Sequence, residues 1–292
     1  MSSRPASILT DAPGPKALRR HRIYTVVVAM VAVVVVVVAV RRLADRGQLD
    51  GDRWRIYTQW SVWRFNLFGL ANTAKAAAVG GVLAFALGLV FSLGRVSRRR
   101  LIRWLASGYV ETFRALPLAL LMFFGLLGMP KLGVDLSPFW AVSLALAAYN
   151  GAVFAEIIRA GLASLPAGQT EAALSIGMRH GPMMRHVLLP QAFKAMVPAL
   201  ASQLVVLLKD TSLGALVAYE EVLRRGQITG EFAKNPLQAL FVAGALYIPL
   251  VFVANRLARR LERRPNAAGN SDSGLRGLSA APSTPGSGPS TE

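Results

Sequence analysis

The stretch "QTEAALSIGMRHGPMMRHVLLPQAF", Gln169–Phe193, lies between two long apolar blocks and carries two arginines, two histidines and an internal Gly-Pro. Thr170 has the chemistry of a helix N-cap, and Glu171 places a negative charge near the positive end of the helix that follows. Residues 171–176 make roughly one and a half turns at 3.6 residues per turn, and Gly177 can close them in the left-handed conformation. Gly181-Pro182 then breaks the path and permits a second short helix. Pro190 stands where the next apolar run begins. Helices this short are not stable alone in water. The element needs a partner, and the Ala172-Ala173 pair offers it a backbone suited to a groove.

Working outward, the chain has 292 residues, of which 53% are hydrophobic, and they are bunched rather than spread. Runs of about 17–25 apolar residues are long enough to cross ~30 Å of hydrocarbon as helix. Such runs fall at about 24–40, 68–93, 116–129, 140–158, 187–208 and 237–254, the third entered by an interfacial segment "WLASGYVETFRALP". The expectation is an all-α membrane protein with about six transmembrane helices. The first run, "YTVVVAMVAVVVVVVAV", has no A-x-A-like cleavage site and is followed at once by Arg41-Arg42, so it reads as an uncleaved span rather than a signal peptide. In the second run Ala77, Gly81, Ala84 and Gly88 form a smooth face for close helix approach.

Residues 1–23 read as a disordered basic arm, 24–40 as an extra transmembrane helix, and 41–67 as an extracytoplasmic or interfacial segment rich in Trp, Tyr and Phe. A five-helix core over 68–258 follows, and 259–292 reads as a disordered tail rich in Ser, Pro and Gly. The formal net charge is +18, but the basic residues flank the apolar runs, so membrane topology explains them and no nucleic-acid partner is expected. With the N-terminus cytoplasmic, the cytoplasmic segments hold 19 Lys and Arg and the opposite segments 10, which favours both termini inside. On that topology 169–193 faces the cytoplasm. There is no cysteine, which excludes disulfides and thiolate metal sites and leaves the redox compartment open.

The stretch "EAALSIGMRHGPMMRHVLLP" resembles the EAA loop of the membrane subunits of ATP-binding-cassette (ABC) importers, EAA-x3-G-x9-I-x-LP. Glu171, Ala172, Ala173, Gly177, Leu189 and Pro190 fall on that pattern, and Val187 stands in for the isoleucine. "NTAKAA", "VETFRALPLALLMFF", "YNGAVFAEIIRAGLASLPAGQTEAA" and "LKDTSLGALV" are similar to the polar-amino-acid permeases of that class, over about residues 68–264. The N-terminal "DAPGPKALRR" and first span resemble a narrower group, the actinobacterial glutamate permeases. The resemblance implies the MetI-like permease core, with 166–190 as a coupling loop that docks on a separate ATPase subunit. It also implies two ATPase subunits, a second permease subunit of the same or a related chain, an extracytoplasmic amino-acid-binding protein, and glutamate as the first choice of substrate. No cofactor is implied.

Charged and polar residues within spans are costly, and they usually face a cavity or one another. Glu156 and Arg159, three apart on one helical face, form an intrahelical ion pair or serve the pathway. Lys209-Asp210-Thr211-Ser212 ends the fifth span and can offer a zwitterion both charges and hydroxyls, or simply snorkel. Arg114, before Leu116-Pro117, can meet a carboxylate where the helix is interrupted or anchor the interface. Asn72, Thr73 and Asn150 can bond substrate or join helices. His21, His180 and His186 have no matching carboxylate cluster, so no metal site is expected. No G-x-x-x-x-G-K-[ST] loop is present, so the chain is not expected to bind ATP or to be an enzyme. A competing reading, a secondary transporter driven by an ion gradient through Glu156 and Asp210, leaves the EAA loop unexplained.

Overall fold

The structure is a computed structural model that describes residues 15–263, all of its regular elements being helices among the described residues. The expected arm over 1–14 and tail over 264–292 lie outside the described residues. α1 runs Pro15–Asp45, longer at both ends than the 24–40 core and taking in residues 15–23 of the expected arm. Residues 19–42 are all exposed, so this stretch of α1 is covered by nothing among the described residues. A helix apolar on every face is matched to lipid rather than to a protein core.

α2 (Gly51–Trp54) and a 3₁₀ turn (Arg55–Thr58) lead into α3, Trp60–Arg95. The segment 41–67 is therefore no free loop. Tyr57 is buried with Ala239 and Val242, Trp54 meets Phe241 edge-on at 5.8 Å between centroids, and Asn235 donates to the Arg53 carbonyl at 2.7 Å. The 36 residues of α3 reach about 54 Å at 1.5 Å per residue, well beyond ~30 Å of hydrocarbon, so the helix starts before the apolar run does.

α4 (Arg100–Ala115) and α5 (Leu118–Phe123, continued by a π turn and a 3₁₀ turn to Leu132) are bent by 102° at Leu116-Pro117. Proline disfavours a helical conformation in the residue before it, and Leu116, extended at ψ 137°, makes the break. α6 (Pro138–Ala163) is the most buried span and packs along α3. α7 (Ala167–Ser175) and α8 (His180–Met183) precede α9 (Leu189–Asp210) through a π turn at Met184–Leu188. A 3₁₀ segment (Thr211–Val217), α10 (Val222–Ala233) and α11 (Pro236–Arg263) complete the order. Among the described residues five helices are long and apolar enough to cross a membrane, and the bent α4–α5 pair makes a sixth if it is one broken span.

The expected small-residue face on α3 serves two neighbours rather than one. Gly80, Ala84 and Gly88 meet α6, where a Cβ at Gly88 would lie 2.5 Å from that of Phe154. Gly81 meets Leu204 and Leu207 of α9 instead. α3 is thus the post to which α6 and α9 are fixed.

Candidate functional site

Two polar regions are held by this frame, and the first is the element between α6 and α9. α7 begins at Ala167, and Thr170 lies inside it with no capping bond, so the N-cap expected at Thr170 is displaced to Pro166. A proline preceding Ala167 already supplies an extended entry, which lets the helix start one turn early. The C-terminal end follows the expectation. Gly177 has φ +76°, its N–H donates to the Leu174 carbonyl at 2.9 Å, and the Met178 N–H donates to the Ala173 carbonyl at 3.1 Å. That pair of bonds is a Schellman closure, which needs a left-handed residue at this position.

Ala173 turns inward to a small cluster with Met183 and Leu188, whereas Glu171 and Ala172 are exposed. The Ala172-Ala173 pair is therefore split between the outer face and the inner one. Ile176 is 77% exposed and Leu174 52%, so the outer face of this short element presents apolar side chains that no described residue covers. Pro190 lies just after the π turn at Met184–Leu188, in the opening turn of α9.

The second region is a set of polar side chains inside the bundle. Glu156 on α6 gathers three arginines from three helices. Arg95, at the end of α3, donates Nη1 to Oε2. Arg159 donates Nη2 and, at 3.1 Å, Nε to Oε1. Arg114, at the end of α4, places Nη1 3.6 Å from Oε2. The i,i+3 pair read from the sequence is thus one side of a larger cluster. The carboxylate that Arg114 meets at the interrupted helix is that of Glu156. Arg95 was not read as a partner, because the basic run "GRVSRRR" is explained by topology alone.

Asn150, fully buried on α6, donates Nδ2 to the Leu146 carbonyl at 3.1 Å and accepts Gln203 Nε2 of α9 at 2.9 Å. It joins helices. Asn72 donates to the Glu220 carbonyl at 2.9 Å, and its own carbonyl accepts the Tyr219 hydroxyl at 2.8 Å. Thr73 Oγ1 accepts the Val222 N–H at 3.3 Å. Together these bonds fasten the 219–222 turn to α3. Glu221 in that turn is fully buried and caps α10, accepting the N–H groups of Leu223 and Arg224 at 2.8 and 2.7 Å. Burial pushes its carboxyl up to about 7 despite those two bonds, which favour the charged form.

Lys209 and Asp210 form no ion pair among the described residues, with each other or with a third group. Ser212 donates to the Lys209 carbonyl at 2.9 Å and lines a cleft of about 290 Å³ with Tyr247 and Gly244. A larger cleft of about 560 Å³ between α3, α6 and α9 is lined by Gly81, Phe85, Phe154, Phe193 and Leu204, with no charged side chain. A zwitterion taken there would leave both charges unpaired, so size alone does not identify the path. No group of three or more His, Cys, Asp or Glu able to hold a metal ion is found among the described residues.

Residues 80–266 match the family model described as "Binding-protein-dependent transport system inner membrane component". The chain belongs to that family. These permeases leave ATP hydrolysis to separate subunits and are not enzymes themselves, and they work with ATPase and binding-protein partners. This permease is 42% identical over 229 residues to the glutamate transport system permease protein GluD of Corynebacterium glutamicum, covering 77% of this chain and 84% of that one. It is 37% identical to the arginine transport system permease protein ArtQ of Bacillus subtilis, covering 68% of this chain and 92% of that one.

Among solved structures, the crystal structure of "an amino acid ABC transporter with histidines" superposes with a TM-score of 0.65 at 30% identity, covering 69% of this chain and 94% of that one. An inward-facing MetNI methionine ABC transporter shares the fold with a TM-score of 0.61 at 20% identity, over 71% of this chain and 99% of that one. The permease is a multi-pass membrane protein with the MetI-like fold.

Proposed function

We propose that the permease carries a polar amino acid, glutamate first, into the cytoplasm as part of an ATP-driven importer. The observation that supports this most directly is the 42% identity to a glutamate permease over 84% of that protein. The relatives named for arginine, cystine and glutamine keep the class firm while leaving the side-chain preference to local differences. A glutamate zwitterion needs cations for two carboxylates and an acceptor for its ammonium. Lys209 offers a cation for one of the two carboxylates and Asp210 an acceptor for the ammonium, unpaired with other charges among the described residues, with the Ser212 hydroxyl beside them at the end of α9. Asn72 and Asn150 already have partners and contribute position rather than contact. Arg114 and Glu156 hold helices first and meet substrate only if their cluster opens.

The element 166–190 is read as the coupling device. Glu171, Ala172 and Gly177 lie on its outer face, Ala173 packs it against the bundle, and Pro190 begins the helix that it moves. Two ATPase subunits grip two permease chains, the termini are cytoplasmic, and an extracytoplasmic binding protein delivers substrate. A gradient-driven carrier would have no use for an outward-facing, apolar, Schellman-closed element.

The test is a pull-down from detergent-solubilised membranes with the permease as bait, beside uptake of labelled glutamate. Wild type is expected to recover an ATPase and to import glutamate. Gly177→Asp and Glu171→Lys are expected to lose both while staying in the membrane at normal levels. Unchanged uptake in both variants overturns the coupling assignment. Normal coupling with uptake of arginine but not glutamate overturns the substrate alone.

A further inference from the structure

The turn from α3 into α4 carries Arg98, Arg99 and Arg100 in succession, with Arg103 one turn further on. Across from it stand His180 and Arg185 of the coupling element, and the two walls enclose a cleft of about 550 Å³. Arg98, Arg99 and Arg185 all line it and are exposed, and none forms an ion pair among the described residues. Guanidiniums facing one space without a counter-charge repel one another and draw in an anion. The cleft is not wholly polar, since Leu93, Val96, Met184 and Leu189 also line it.

Directly beside it α4 is built as an interfacial helix. Leu101, Trp104 and Leu105 fall on one face by the i, i+3, i+4 rule, and all are exposed, Trp104 by 71%. Arg100 and Arg103 flank that strip. A basic helix with an outward apolar face lies in the plane of the membrane surface. A soluble anion would use the arginines and leave the apolar strip in water. An acidic protein surface would do the same. A molecule with an anionic head and apolar chains uses both.

We propose that the cleft between the α3–α4 turn and the coupling element is a binding site for the headgroup of an anionic phospholipid, whose acyl chains lie along the Leu101–Leu105 strip of α4. Because one wall is α8 and its π turn, the bound headgroup ties the coupling element to the membrane surface. The membrane's anionic lipid then bears on how the element transmits movement to α9.

The experiment is native mass spectrometry of the detergent-solubilised full chain, titrated with phosphatidylglycerol or phosphatidylcholine. Wild type is expected to retain phosphatidylglycerol in preference. The triple variant Arg98→Gln, Arg99→Gln, Arg185→Gln is expected to lose that preference by roughly tenfold or more, each basic residue near a membrane surface contributing to such binding. Arg256→Gln, Arg259→Gln, Arg260→Gln removes the same charge at the end of α11 and is expected to keep the preference. Equal retention by the first triple variant and wild type overturns the site. So does equal loss in the α11 control.

Full displacement of the lipid by inorganic phosphate makes it a soluble-anion site and overturns the proposal. Loss of ATPase recovery by the first variant with lipid retention intact assigns the cleft to a protein partner instead. Photoactivatable phosphatidylglycerol on the wild-type chain needs no variant to fold. Labelling within 96–105 and 180–189 supports the site, and labelling only elsewhere overturns it.

Discussion

Glu156 and Asp210 are both acidic residues near the ends of spanning helices, and their surroundings are opposite. Glu156 is met by three guanidiniums from α3, α4 and α6, more cations than one carboxylate can neutralise. Asp210 and its neighbour Lys209 are met by none among the described residues. A saturated charge fixes helices relative to one another. An unsaturated one is held ready for a ligand that brings its own counter-charge. Glu221 adds a third case, buried with no cation partner among the described residues and supported by two backbone N–H groups.

The contrast can be broken most directly at Glu156. Glu156→Gln leaves three arginines without a counter-ion and, with the cluster only partly buried, is expected to cost about 1–2 kcal/mol, read as a fall in the thermal midpoint of the detergent-solubilised permease. A midpoint at the wild-type value would mean that the cluster holds nothing. At Glu221 the sign of a pH effect is fixed by its raised pKa. The folded chain binds this proton more tightly than the unfolded chain does, so its contribution is greatest below 4.5 and falls as pH rises through about 7. Glu221→Gln is expected to flatten the stability profile across that window; an unaltered slope would place the titration elsewhere.

Asp210→Asn is expected to leave the thermal midpoint within about 0.5 kcal/mol of wild type, as for a group without a partner, while glutamate uptake falls roughly tenfold. A lost fold with intact residual transport per folded molecule would reverse the comparison. The smallest effect belongs to Arg114, whose side chain is 48% exposed against 17% for Arg95. Arg114→Gln is expected to cost below about 0.5 kcal/mol in stability, less than Arg95→Gln does in the same melting series. Equal costs would show that Arg114 carries structural weight that its exposure conceals.

The spans were legible because a run of apolar residues has one physical use, and α3, α6, α9 and α11 lie where the runs do. Their ends were not, since α3 continues eight residues beyond the apolar run through an aromatic stretch that packs on α11 rather than on lipid. α10 was missed because Arg224, Arg225 and Glu231 make it read as a loop. A signal was present in Gly226-x-x-x-Gly230, which lays α10 on Ala243 and Ala239, where a Cβ at Gly226 would come within 2.7 Å. The left-handed Gly177 was legible because few residues serve there, whereas Thr170 misled because Pro166 had already opened the helix. The partners of Glu156 could be read only in part. Arg159 is its neighbour in sequence, but Arg95 is 61 residues away and reaches it through the packing of α3 on α6.

From Ile23 to Val40 α1 is apolar all round, and this stretch is covered by nothing else among the described residues. During synthesis it is also the earliest of the described spans to leave the ribosome. A helix that needs no neighbour can pass into lipid at once, before α3 or α6 exists to receive it. Arg41-Arg42 at its far end and the arginines before it then contend over which end is drawn across, and each later helix inherits the result. The segment that contributes least to the described bundle thus bears on the orientation of the spans that follow it.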